Sequence, residues 1–144
     1  MSLVLDSSVT LAWLYSNEGG AAVEEVFSRV VASRAWVPSL WRLEVANSLT
    51  MAVRRQRITA QFRDQSLADL ALLNVVSDQD TDSFAWSTTL RLADRYKLTL
   101  YDAAYLELAQ RLGLPLATLD QDLAAAAGAL GIPLLGLAPD AGAA

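Results

Sequence analysis

The sequence predicts an α/β fold: a single domain whose parallel sheet of four or five strands is flanked by helices. Three observations carry this expectation. Short apolar runs of strand length alternate along the chain with longer stretches of helical period. The short runs lack polar alternation, as strands buried on both faces do. Finally, 144 residues with 53% hydrophobic content hold no repeat, linker or low-complexity boundary, so they suit one core.

The elements follow in order. "SLVLD" is a buried strand, and "SVTLAWLY" begins a helical pattern. "AAVEEVFSRVVAS" is an amphipathic helix with Glu24 and Glu25 on its wet face. "AWVP" is the second strand, after which Ser39 is placed to cap the helix "LWRLEVANSLTMAVRRQ". Thr59 caps the next helix, through "AQFRDQSLADLALL", and "NVVSD" is the third strand. "DSFAWSTTLRLADRYK" reads as one helix and leads into "TLYDAAYLELAQRLG", a largely apolar helix capped by Thr99. "LPLATLD" is the fourth strand, "QDLAAAAGAL" a helix ending near Gly131, and "IPLLGL" the fifth strand. Residues 1–138 form the expected domain and 139–144 a frayed tail. Trp13, Trp36 and Trp86 fit core positions, and Trp41 suits either core or interface.

Composition narrows the chemistry. With no cysteine and no histidine, disulfides, thiolate metal sites and the usual neutral-pH proton shuttle are all excluded. Any metal must be held by oxygen, which favours Mg²⁺ or Mn²⁺. The N-terminus has no basic segment before its apolar run, and the apolar C-terminal stretch is broken by Gly and Pro, so neither a signal peptide nor a membrane span is expected. A cytoplasmic protein is the expectation. The net charge of −5 argues against a general nucleic-acid coating protein. Positive charge is nonetheless gathered at Arg54, Arg55 and Arg57, with Arg42 and Arg63 nearby. That cluster reads either as a solvated helix end or as a local phosphate-binding rim.

The acids carry the functional signal. Asp6 ends the first strand, Asp120 ends the fourth, Glu44 lies in the first turns of the helix after the second, and Asp102 opens the helix before the fourth. All four fall where strands stop and helices begin, the edge at which open α/β sheets place their sites. Each has a structural alternative. Asp6 suits a helix N-cap, as do Ser7 and Ser8, and Asp120 suits an Asx-turn. Glu44 suits a buried ion pair, and Asp102 is the third residue of a Thr99-capped helix, facing its positive end. Asp122 reads as a helix-start residue. Two carboxylates about 4 Å apart repel by roughly 4 kcal/mol at an effective dielectric near 20. Gathering four at neutral pH therefore calls for a divalent cation. Such a site can lower the pKa of a water and stabilise an in-line displacement at phosphorus.

The runs "LVLDSSVTLAWLY", "VPSLWRLEVANSL" and "LADRYKLTLYDAAYLELAQRLGLPLATLDQDL" strongly resemble the PIN-domain family, in particular the VapC-type toxins of bacterial toxin–antitoxin modules. The likeness spans nearly the whole chain in order, apart from about residues 55 to 80 and the tail. It implies a Mg²⁺- or Mn²⁺-dependent endoribonuclease acting on transfer or ribosomal RNA. It maps the family's acidic set onto Asp6, Glu44, Asp102 and Asp120, with Asp6 and Asp102 holding the ion most directly. Thr118 matches a supporting hydroxyl, Ser7 or Ser8 is placed to orient Asp6, and Asp122 is a further supporting residue. RNA contacts would rest on Arg54, Arg55 and Arg57, or on groups of a partner subunit; aromatic stacking of bases on tryptophan is a further option. A homodimer and a small antitoxin partner are also implied. Two other classes compete: a PIN-fold binding module with little catalysis of its own, and a receiver-like phosphoacceptor. The latter wants a lysine after a late strand, and the only one, Lys97, precedes the fourth.

Overall fold

β1 (Leu3–Leu5) is the middle strand of a five-stranded, all-parallel sheet, and its three side chains are completely buried. The computed structural model describes residues 2–15 and 20–137. The tail expected at 139–144 lies outside the described residues. β2 (Ala35–Val37), β3 (Val75–Ser77), β4 (Leu116–Ala117) and β5 (Leu134–Leu135) complete the sheet in the order β3-β2-β1-β4-β5. Val4 faces Trp36 on one side and Leu116 on the other, which fixes the register of the three central strands.

α1 (Ser7–Leu14) and α2 (Gly20–Ala32) lie between β1 and β2, and α3 (Trp41–Arg54) and α4 (Ala60–Ala71) between β2 and β3. α5 (Thr81–Phe84), α6 (Thr88–Tyr96) and α7 (Leu100–Leu112) precede β4, and α8 (Gln121–Ala129) joins β4 to β5. Strands β1 to β3 step outward in one direction. The chain then returns past β2 and β1 to lay β4 on the other side. The order thus reverses between β1 and β4, and this is the topological switch point at which a parallel sheet opens a crevice beyond its carboxyl ends.

The caps follow local chemistry. Thr59 Oγ1 accepts from the N–H of Phe62 at 3.0 Å, and Thr99 Oγ1 accepts from that of Asp102 at 3.1 Å. Gly113, at φ 66°, takes the left-handed conformation that ends α7 and lets the Leu114 N–H return to Ala109 O at 3.0 Å. The cap expected from Ser39 does not form. Leu40 occupies the N-cap position without a side-chain bond, and the Ser39 N–H donates to Thr81 Oγ1. The single helix expected over 82–97 is two, because Ser87 leaves helical space at φ −120° and ψ −99°. Trp86 sits at that break, and at 91% exposure it is a surface residue rather than part of the core. Trp41 is core: it is buried, and its indole N–H donates to the buried Thr10 Oγ1, tying α3 to α1. Trp13 stacks on Phe27 with ring centroids 4.1 Å apart, joining α1 to α2. No helix among the described residues is long and apolar enough to cross a membrane.

Candidate active site

Asp6 follows β1 directly, and its backbone N–H donates to Ala117 O of β4, so the carboxylate stands at the switch point. Only 3% of the residue is exposed. Its Oδ2 accepts hydrogen bonds from Ser8 Oγ at 2.7 Å and Thr118 Oγ1 at 2.8 Å. Each hydroxyl in turn accepts from the loop after β4: Ser8 Oγ from the Leu119 N–H, and Thr118 Oγ1 from the Asp120 N–H. The two hydroxyls therefore clamp the end of β1 to the β4–α8 loop and hold the Asp6 carboxylate in one orientation. The serine hydroxyl that bonds Asp6 is that of Ser8, while Ser7 bonds the same carboxylate through its backbone N–H. Ser7 is the first residue of α1, and its side chain lies at the Tyr105 hydroxyl instead.

Asp120 caps α8, its Oδ1 accepting from the N–H groups of Asp122 and Leu123. The Asx-turn expected of it and a place beside Asp6 are thus both present, and the cap fixes the carboxylate. Asp122 is exposed, and its own N–H serves that cap. Glu44 approaches from the first turn of α3, where its Oε1 accepts a short hydrogen bond from the Tyr105 hydroxyl of α7. Asp102 lies in the first turn of the same α7, three residues before Tyr105 and hence on the same face.

Electrostatics link these carboxylates. Burial pushes the Asp6 pKa up; the Ser8 and Thr118 hydroxyls oppose this, and the Asp120 charge adds to it. Burial likewise raises Glu44, opposed by the Tyr105 hydrogen bond and reinforced by the charges of Asp6 and Asp102. Asp102 is raised by burial and then by the charges of Asp6 and Asp120, while hydrogen bonding with Thr99 opposes the shift. All three are thus strained toward the protonated form. Among the described residues, none of the four acids forms an ion pair with an arginine or lysine.

A site of this kind is short of positive charge. No group of three or more acids closes into a ready-made cage among the described residues. A cation held here would therefore have to keep most of its water and take only one or two direct carboxylates. The donors are all oxygen, and Asp6, oriented by two hydroxyls, is the most rigid of them.

Tyr105 was not foreseeable from acid counting, although its spacing from Asp102 was a usable signal. It is fully buried, and burial followed by the Glu44 charge drives its pKa far above the ordinary tyrosine value, so it serves as a neutral donor. Tyr105→Phe is expected to raise the Glu44 pKa further, since it removes the bond that favours the carboxylate. Side-chain carboxyl NMR titration would show this, and an unchanged or lower Glu44 pKa would contradict it.

Arg54, Arg55 and Arg57 are exposed at the far end of α3. Ten residues separate Glu44 from Arg54, about 15 Å along the helix axis. The arginines are therefore not part of the acid cluster. Arg55 and Arg57 instead border a groove of about 360 Å³ whose other walls include Leu11, Tyr15 and Ile58.

A family model, PIN domain, matches residues 3–129. The chain is 33% identical over 130 residues to Ribonuclease VapC3 of Pyrobaculum aerophilum, covering 86% of this chain and 93% of that protein. It is also similar to the crystal structure of PAE2754 from Pyrobaculum aerophilum, with a TM-score of 0.65 and 25% identity over 88% of this chain and 79% of that one. A toxin–antitoxin complex from Klebsiella pneumoniae shares the fold, with a TM-score of 0.56 and 21% identity over 85% and 90% of the two chains. With its acids at the β1/β4 switch point and that match running through nearly every element of the sheet, the chain belongs to the PIN-domain family.

Proposed function

We propose that the protein is a divalent-metal-dependent endoribonuclease and the toxin of a toxin–antitoxin pair. The observation that carries this reading is that Asp6, Glu44, Asp102 and Asp120, from four different segments, lie near enough for their charges to act on one another, with no cationic side chain paired to them among the described residues. The relatedness to a ribonuclease over most of both chains supports the substrate class.

In this reading Asp6 and Asp102 hold the cation, with Glu44 and Asp120 completing its surroundings. When bound, a Mg²⁺ or Mn²⁺ ion supplies Lewis acidity for in-line attack on an RNA phosphodiester. The protein supplies positioning. Ser8 and Thr118 fix the Asp6 carboxylate, the α8 cap fixes Asp120, and Tyr105 holds one oxygen of Glu44 while leaving the second to act on water. Transfer or ribosomal RNA is the substrate class, with Arg54, Arg55 and Arg57 available to phosphates flanking the cut. A small antitoxin is the protein partner and the toxin itself a homodimer, acting in the cytoplasm.

The test is incubation of the purified protein with a panel of structured RNAs, with Mg²⁺, with Mn²⁺ and with a chelator. Cleavage is expected only with metal, and Asp102→Asn should lower it by at least a hundredfold with unchanged circular dichroism. Cleavage that survives chelation, or full activity in the variant, would reject the assignment. A protein that binds its neighbouring small partner tightly but cuts no RNA would be a binding module.

A further inference from the structure

Beside the acid cluster lies an open concavity of about 320 Å³, walled by Leu40, Leu43, Glu44 and Asn47 of the α3 start and by Tyr101 of α7. Two of its walls are large apolar groups left in water: Leu43 is 77% exposed and Tyr101 65%. Glu44 is shared with the acid site, and Tyr101 is the chain neighbour of Asp102. Among the described residues the Tyr101 ring stacks on no other aromatic, and its hydroxyl bonds no other side chain.

We propose that this concavity is a base-binding subsite, in which Tyr101 stacks an unpaired nucleobase next to the scissile phosphate and Asn47 reads the edge of that base. The inference rests on the ribonuclease reading and assigns Tyr101 and Asn47 a place in it. Three features select a base over other occupants. The walls carry no cation and one carboxylate, so a phosphate is repelled whereas a neutral heteroaromatic ring is not. Tyrosine offers a flat face on which any base can stack. Asn47 lies three residues after Glu44, on the same helix face, and an amide presents both a donor and an acceptor to a base edge. A base inside a duplex exposes neither its face nor its Watson–Crick edge, so the occupant must be splayed from a loop, bulge or end.

The test compares kcat/KM of the parent and variants on a hairpin RNA cut in its loop and on the same sequence annealed into a full duplex. Tyr101→Ala is expected to lose about tenfold or more on the loop, the range that loss of one stacked base implies. Tyr101→Trp, which keeps a stacking face, should recover most of that loss. Asn47→Ala should flatten the preference for the base beside the cut. The duplex should be cut poorly by all. A Tyr101→Ala loss of less than twofold, or equal cutting of duplex and loop by the parent, overturns the subsite while the ribonuclease reading stands. So does a loss that light scattering traces to dissociation of a dimer, which would make the face a subunit contact. Failure of the parent to cut any RNA overturns both.

Discussion

Asp6→Asn is expected to lower metal-dependent cleavage about a thousandfold and, without metal at neutral pH, to make the fold more stable rather than less. The first effect follows from the several kcal/mol that a catalytic metal contributes, at a decade of rate for each 1.36 kcal/mol. The second follows from burial. In the folded protein the Asp6 pKa lies above the ordinary aspartate value, chiefly because the carboxylate is desolvated. The folded state therefore holds the Asp6 proton more tightly than the unfolded chain does. Stability from this group is fully present below the ordinary carboxyl pKa and declines as pH rises through the raised one. Asparagine never ionises, and its carbonyl oxygen can accept from Ser8 and Thr118 as the Asp6 carboxylate does. Metal-free thermal melts at pH 7 should then place the variant at or above the parent, with the gap closing toward pH 4. Added Mg²⁺ should invert the order, because only the parent binds it well; at a hundredfold excess over Kd, binding adds about 2.7 kcal/mol. A variant that melts lower without metal yet is stabilised by Mg²⁺ as strongly as the parent would show that Asp6 is a structural cap and no ligand.

The positions of the acids were legible because strand ends and helix starts are local properties. Asp6 stands after three apolar residues, Asp102 three residues after a capping threonine, and Asp120 four residues before a run of alanines begins. That β1 and β4 are neighbours was not legible, since strand order is decided by packing across more than a hundred residues. The choice between Ser7 and Ser8 depends on how α1 leaves β1, and adjacent serines look alike in a sequence. Trp86 illustrates the opposite failure. Its apolar character suggested the core, but Ser87 breaks the helix beside it and turns the side chain to solvent. Ser39 lost its capping role to a tertiary contact, the bond from its N–H to Thr81. Least visible of all was a buried ionic group. Asp78 and Arg111 are 33 residues apart, so no local spacing pairs them.

Arg111→Ala is expected to cost about 3–5 kcal/mol at neutral pH, the penalty for leaving buried charges unpaired, out of a typical total of about 5–15 kcal/mol. Arg111 Nη2 lies 2.7 Å from Asp78 Oδ2 and its Nε lies 2.8 Å from Glu107 Oε2, while the guanidinium rests over the Phe84 ring at 4.7 Å. Asp78 is 5% exposed and Glu107 4%, so deletion of the arginine strands two carboxylates in the interior. Burial alone would raise Asp78, but hydrogen bonds from Arg111 and Thr81 bring it below the ordinary aspartate value. A lowered carboxyl pKa gives stability that is present above the ordinary value and lost as pH falls through the depressed one. Removing Arg111 moves the Asp78 pKa back up, because burial is then opposed only by the Thr81 and backbone hydrogen bonds. Urea unfolding should therefore show the gap between variant and parent narrowing from pH 7 toward pH 4. Arg111→Lys should recover only part of the loss, since an ammonium cannot reproduce the guanidinium's paired bonds to Asp78 or its stacking on Phe84. A loss under about 1 kcal/mol at pH 7, or a gap that widens on acidification, would reject this account of the network. The consequence for the site is indirect. Arg111 ties the last turn of α7 to Asp78 after β3, and the first turns of that helix carry Asp102 and Tyr105. Cleavage by Arg111→Ala should accordingly track the fraction of folded protein at each temperature, whereas Asp6→Asn should stay inactive when fully folded.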